Sequence, residues 1–225
     1  MQAHWRLRKA SQFAMSDSSL HDFRHTLVTE VRDYPEWHRG RSRYGLWMIA
    51  LHCPEQLAYI DRLRQQLGDL LHPTWRQPHL TLFVCGLERE QAEFDDDFTP
   101  QQLAQQLAAV RALASEPCAL ELGSPTSFSS AAYLPVSDPH GQLPRWRDAL
   151  AGVCSEVRQA TYVPHITLGL YRRQVSREVL RERLLQLPAP PQPQLSVKAL
   201  EYVTYEQGAQ FSRLECRQRI LLTGA

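Results

Sequence analysis

A chain of 225 residues is long enough to bury a substantial core, as one large domain or two intertwined lobes. Hydrophobic residues at 43% and charged ones at 22% describe a globular protein, and a net charge of +1 argues against a general coat for nucleic acid or membrane. No apolar run approaches the roughly 20 residues of a membrane span, and the basic start "MQAHWRLRKASQFAM" lacks the apolar centre of a secretion signal, so a cytoplasmic protein is expected.

Residues 1–15 read as a leader. The following "SDSSLHDFRHTLVTEVRDY" offers Ser and Asp where a helix N-cap belongs and predicts a helix, with His21 and His25 on one face. Two histidines without a third ligand read as surface, and neither a metal nor another cofactor is expected in this chain. "HRGRSR" is a basic connector whose Arg39, Arg41 and Arg43 are candidates for phosphate contacts beside the ordinary reading of a solvated run. Residues 1–43 are therefore set apart as an N-terminal extension, leaving 44–225 as the domain proper.

"YGLWMIALHC" (44–53) is apolar throughout and predicts a buried strand. Pro54 opens an amphipathic helix with Leu57, Ile60, Leu63, Leu67 and Leu70 at helical spacing. A strand over His79–Cys85 follows. Thr99, Pro100 and Gln102 form a capping-box signature at the head of "FTPQQLAQQLAAVRALAS". Two strands, 118–123 and 131–136, flank the Ser-rich turn "SPTSFSS". Then come a helix over 144–157, a strand over His165–Tyr171 and a helix over 176–187 capped by Ser176. After the linker "PAPPQP", residues 194–206 and 211–222 alternate as an antiparallel pair around "QGAQ".

This order predicts an α+β fold built on antiparallel sheet with outer helices, and no Gly-rich phosphate loop is present. The five cysteines are scattered, odd in number and set in apolar runs, so they read as small hydrophobes rather than disulfides or zinc ligands.

Two strands share a pattern. "WRQPHLTLFVCG" and "TYVPHITLGLYRR" both read Pro-His-apolar-Thr-Leu. Residues i and i+2 of a strand share a face, so His79 sits with Thr81 and His165 with Thr167, while Leu80, Leu82, Ile166 and Leu168 pack beneath. By the same parity Phe83 joins the His79 face and Gly169 leaves room above the second strand. A lone motif of this kind is usually a hydrogen-bonded polar pair. Two copies form a kit for phosphate-ester chemistry. Histidine titrates near neutrality and serves as base or acid, and a threonine hydroxyl can donate to the oxygens on which charge develops.

Twin motifs of this form resemble the two-histidine (HxTx) phosphoesterase superfamily, and the chain is most similar to its bacterial 2′-5′ RNA ligase/RNA 2′,3′-cyclic phosphodiesterase group, from about Tyr44 to Leu222. The resemblance implies two pseudo-symmetric lobes with a cleft between them. It makes His79 and His165 the acid/base pair, taken here with His165 as base and His79 as acid, and Thr81 and Thr167 the phosphate-binding hydroxyls. The implied reaction opens 2′,3′-cyclic phosphates of RNA ends or nucleotides to 2′-phosphates without a metal, with 2′-5′ ligation in reverse; a monomer is expected. Relatives often carry a basic residue soon after the second motif, whereas Gly169, Leu170 and Tyr171 stand here before Arg172.

An RNA-end enzyme needs aromatic faces for bases and cations for phosphates. Phe83, Phe128, Tyr133 and Tyr171 are the stacking candidates, with Arg172 and Arg43 for phosphates. The alternative from another class is a non-catalytic module that binds RNA ends or nucleotides in the same cleft. It would bind a cyclic phosphate without converting it.

Overall fold

The structure, a computed structural model, describes residues 23–158, 160–208 and 211–224. In chain order the elements are α1 (Pro35–His38), β1 (Arg43–Ala50), α2 (Pro54–Gln66), β2 (His79–Glu88), β3 (Asp97–Phe98), α3 (Pro100–Ala112), β4 (Cys118–Leu122) and β5 (Thr126–Ser127). They continue with β6 (Ala131–Ser137), α4 (Gln142–Ala151), β7 (His165–Leu170), α5 (Arg177–Leu185), β8 (Gln194–Val197), β9 (Ala199–Glu206) and β10 (Glu215–Leu221). The strands make one curled sheet in the order β10-β9-β1-β2-β7-β6-β4-β8, with short β3 and β5 paired to β2 and β6. All neighbours along that path are antiparallel. The two motif strands, β2 and β7, are adjacent at its middle, each backed by a further three strands. The expected α+β class and the two-half arrangement are both present.

Apolar residues of both halves and of the four longer helices form one core on the outer side of the sheet, including Trp47, Tyr59, Leu80, Leu134, Trp146, Ile166 and Leu180. A smaller cluster of Tyr44, Leu46, Met48, Val84, Val203 and Tyr205 lies on the other face of the first half. Helix α2, which follows β1 of the first half, packs on β7 of the second; α4, which precedes β7, packs on β2. Each motif strand is thus backed by a helix connected to the other half. The α3 capping box is complete, Thr99 N–H donating to Gln102 Oε1 (2.8 Å) while Thr99 Oγ1 accepts from the Gln102 amide (3.3 Å).

Three expectations need correction. The helix expected over the second N-terminal segment is absent from residues 23–34, which run extended; its first residues, His21 among them, lie outside the described residues. Thr26 N–H donates to Val175 O (2.9 Å), its hydroxyl bridges Arg173 O and Val175 N, and Thr29 N–H donates to Tyr171 O (2.8 Å). These backbone partners, and the run of β-branched residues Thr26, Val28, Thr29 and Val31, outweigh the upstream capping signal. His25 is bridged to Ser176 rather than set on a helix face. Among the described residues no group of three His, Cys, Asp or Glu is placed to hold a metal.

Residues 194–206 are two strands: β8 pairs with β4 in the second half, and β9 with β1 and β10 in the first. The burial alternation runs unbroken through Lys198, so the change of partners leaves no trace in the sequence pattern. The helix expected over 144–157 ends at Ala151.

Candidate active site

Strands β2 and β7 meet at Leu80 and Ile166, both fully buried on the core side. Strand parity then turns His79, Thr81, His165 and Thr167 to the face opposite the core, and continuing the antiparallel register would set Thr81 across from His165 and His79 across from Thr167. The prolines anchor the strand starts: Pro78 O accepts from Leu51 N–H (3.3 Å) and Pro164 O from Val136 N–H (2.9 Å).

The two imidazoles are held in the same way. His79 Nδ1 lies 2.7 Å from Gln77 O and His165 Nδ1 2.5 Å from Val163 O, the carbonyl two residues earlier in each case. A carbonyl only accepts, so both Nδ1 atoms carry the proton and both neutral rings leave Nε2 as an acceptor. Burial pushes the pKa of each from 6.5 down to about 4, against the opposing carbonyl bond. Arg76 and Arg64 lower His79 further, and Arg158 and His79 itself lower His165. That His79 bears on His165 means the pair resists taking up two protons.

Both motif strands are bulged at the leucine that follows the threonine. Trp47 pairs with Phe83 and Met48 with Thr81, leaving Leu82 extra; Ala132 pairs with Gly169 and Tyr133 with Thr167, leaving Leu168 extra. A bulge strands backbone groups, and in each half an arginine from the packed helix takes the carbonyl. Arg147 of α4 donates to Leu82 O (2.5 Å), and Arg64 of α2 donates through Nε to Leu168 O (3.0 Å). In the first half Glu156 adds a second tie: it accepts from Val84 N–H (3.0 Å) and pairs with Arg147 (2.6 Å). Tyr162, beneath the Arg147 guanidinium, donates its hydroxyl to Thr81 O (3.0 Å).

The bulges explain where parity fails. Phe83 and Leu82 both face the core, and Phe83, 1% exposed, offers no face to a base. Gly169 also faces inward, where a Cβ would stand 3.0 Å from Leu71 Cδ1. Tyr171 is fully buried with its hydroxyl 2.5 Å from Ser127 Oγ, so it too is a core residue. Arg172 donates to Asp69 O (3.2 Å) beyond the end of α2. Arg43 pairs with Glu206 (3.5 Å) and lies at the opposite end of β1 from Ala50, the partner of His79. Of the neighbouring connector arginines, Arg41 is buried against Asp96 (2.7 Å) and Asp97, and Arg39 lies over Phe94 (4.4 Å).

Phe128 and Tyr133 do reach the site. They stack on each other (3.9 Å) and meet the His165 ring edge-on at 5.2 and 5.4 Å. Both are buried, so they wall the imidazole rather than present a stacking platform. Arg64, Arg147, Glu156 and Tyr162 escaped the sequence reading because they tie to the motif strands through backbone atoms, which no side-chain motif records.

The model of the 2′-5′ RNA ligase superfamily matches residues 53–209. The chain belongs to the 2′-5′ RNA ligase superfamily. Among solved structures, Escherichia coli LigT complexed with 3′-AMP superimposes with a TM-score of 0.58 at 16% identity, covering 82% of this chain and 99% of LigT. LigT complexed with phosphate gives 0.55 over the same shares. The Thermus thermophilus protein TT0787 gives 0.52 at 14% identity, covering 80% of this chain and 98% of that one. No curated protein sequence matches the chain. At these identities the structural likeness speaks for the fold, which the superfamily shares with phosphoesterases and ligases. Among the described residues no helix is long and apolar enough to cross a membrane.

Proposed function

We propose that the protein opens 2′,3′-cyclic phosphates of RNA ends or nucleotides to 2′-phosphates by metal-independent acid/base catalysis. What supports this reading is the placing of His79, Thr81, His165 and Thr167 on one face of two adjacent strands, with both imidazoles anchored through Nδ1 and presenting Nε2. The 3′-AMP and the phosphate bound by LigT are ligands of the matching chemical class.

Water attacks phosphorus and the bond from phosphorus to O3′ breaks. One imidazole takes the water proton at Nε2, and the other delivers a proton from its Nε2 to O3′. We assign the base to His165, which is 6% exposed and kept neutral against the stacked rings of Phe128 and Tyr133. The half-buried His79 reloads its proton from solvent and serves as acid. An arriving anion raises the pKa of both rings, and their mutual repulsion restricts the pair to one proton, so one ring is acid while the other stays base. The hydroxyls of Thr81 and Thr167 donate to the non-bridging oxygens. With a 5′-hydroxyl in place of water, the same step joins two RNA ends through a 2′-5′ linkage.

The test is incubation with 2′,3′-cyclic and 3′,5′-cyclic nucleotides and with RNA ending in a cyclic phosphate, the product isomers being identified. The 2′,3′-cyclic substrates alone should react, giving 2′-phosphates, and kcat/KM should peak on the acid side of pH 6.5, since both rings hold protons weakly in the free protein. Thr81→Val and Thr167→Val should each lower kcat about 10²-fold. Binding of the cyclic phosphates without conversion would sink the catalytic reading in favour of a binding module.

A further inference from the structure

Beside His79 the inner face of the sheet is unusually low. His79 pairs with Ala50 of β1, and continuing the β1–β9 register places Ala199 next to Ala50. One row over, Thr81 pairs with Met48, Met48 with Glu201 of β9, and Glu201 with Arg219 of β10. Cross-strand partners share a face, so Ala50, Ala199, Glu201 and Arg219 all lie on the face that carries His79 and Thr81. Over the two alanines opens a groove of about 290 Å³, flanked by His52, Lys198 and Arg219. This is the lower end of the size range of ligand sites, room for part of one nucleotide.

The charges are arranged for an anion. Glu201, 6% exposed, sits 3.4 Å from Arg219 Nε and 4.0 Å from His52 Nε2. That ion pair is made through Nε and leaves its two Nη groups, the bidentate edge that suits phosphate. Lys198 is exposed on the same rim. Glu201 stands two strand spacings from Thr81, roughly 10 Å, so a phosphate held by Arg219 cannot be the one that reacts between the histidines.

We propose that this groove binds the nucleotide preceding the reacting one in an RNA chain, with Arg219 and Lys198 on its phosphate. The inference rests on the phosphodiesterase reading for the identity of the ligand, and it marks RNA ends, rather than free cyclic nucleotides, as the preferred substrate class. The test uses unreactive product ligands on the wild-type protein: adenosine 2′-monophosphate, and the dinucleotide ApA carrying a terminal 2′-phosphate. The dinucleotide should bind about tenfold more tightly. Arg219→Gln with Lys198→Ala should abolish that preference and leave mononucleotide binding unchanged. Lys198→Ala alone, which keeps the Glu201–Arg219 contact, should remove part of it.

Equal binding of the two ligands, no measurable dinucleotide binding, or a preference that survives both substitutions would overturn the proposal. So would an equal loss for both ligands, which would put the reacting nucleotide in the groove. Because the products do not turn over, an intact dinucleotide preference in a protein inert toward cyclic phosphates would overturn the catalytic reading alone.

Discussion

In the half around His79, the bulge arginine Arg147 is itself held by Glu156, which also takes the Val84 amide, and Tyr162 secures Thr81 O. In the half around His165 the counterpart, Arg64, donates to Leu168 O and, at 3.5 Å, to Arg76 O, and the histidine is positioned by the rings of Phe128 and Tyr133. The same motif is thus supported by polar ties in one half and by packing in the other. Two sequences related by an internal pseudo-symmetry need share only what meets the substrate; each half is free to reach that geometry by its own means. The two supports also leave the imidazoles unequally wet, which is the physical basis for giving them different roles.

The most direct way to break the comparison is to remove each imidazole in turn. His79→Ala and His165→Ala should each lower kcat roughly 10²–10⁴-fold on a 2′,3′-cyclic nucleotide. The double variant should be little worse than the poorer single one, because the pair works as a unit. Losses that multiply would show two independent groups and undo the acid/base pairing. Near-normal turnover by the double variant would remove the histidines from the mechanism altogether.

Acid tests both imidazoles through stability. Burial pushes each ring to about 4 in the fold, against 6.5 when unfolded. Between those values the unfolded chain binds more protons, so the stabilising contribution is complete above pH 6.5 and is lost as pH falls toward 4. The shift is the same for both rings, so each loss should approach about 3 kcal/mol. Urea denaturation at pH 7 and pH 4 checks this: His165→Asn and His79→Asn should each flatten the pH dependence. A variant that leaves the pH dependence intact would show that its ring is not desolvated in the fold.

Much of this was legible in the chain. The motif pair, the α2 stripe and the Thr99–Gln102 box each depend on local spacing, and local spacing is what sequence displays. The errors arise where a residue's environment is decided from far away. Phe83 fell on the wrong face because one extra residue, Leu82, reverses strand parity, and nothing in "HLTLFV" marks a bulge. Residues 23–34 are extended because Val175, Tyr171 and Ser129 supply their hydrogen-bond partners, all of them distant in sequence. Tyr171 and Tyr133 are alike as residues; only their places, one just past the end of β7 and the other on β6, send one into the core and the other to His165.

The smallest effects should separate the two bulge arginines. Arg147→Met strips the charge partner from Glu156, whose side chain is 11% exposed, and orphans Leu82 O at the same time. Removing one member of such a pair costs more than the pair contributes, and partial exposure brings the expected loss to about 2–3 kcal/mol. Arg64→Met removes the donor to Leu168 O and the longer bond to Arg76 O and should cost about 1–2 kcal/mol. Both substitutions free the bulge beside a threonine, so both should lower kcat more than they raise KM, with Arg147→Met the worse. Glu156→Gln discriminates between charge and position. It keeps an acceptor for the Val84 amide and Arg147, so recovery of activity with only partial recovery of stability would assign the pair to holding Thr81 in place. If Arg64→Met and Arg147→Met prove equally costly, Glu156 contributes nothing beyond a single bond, and the two halves are supported alike.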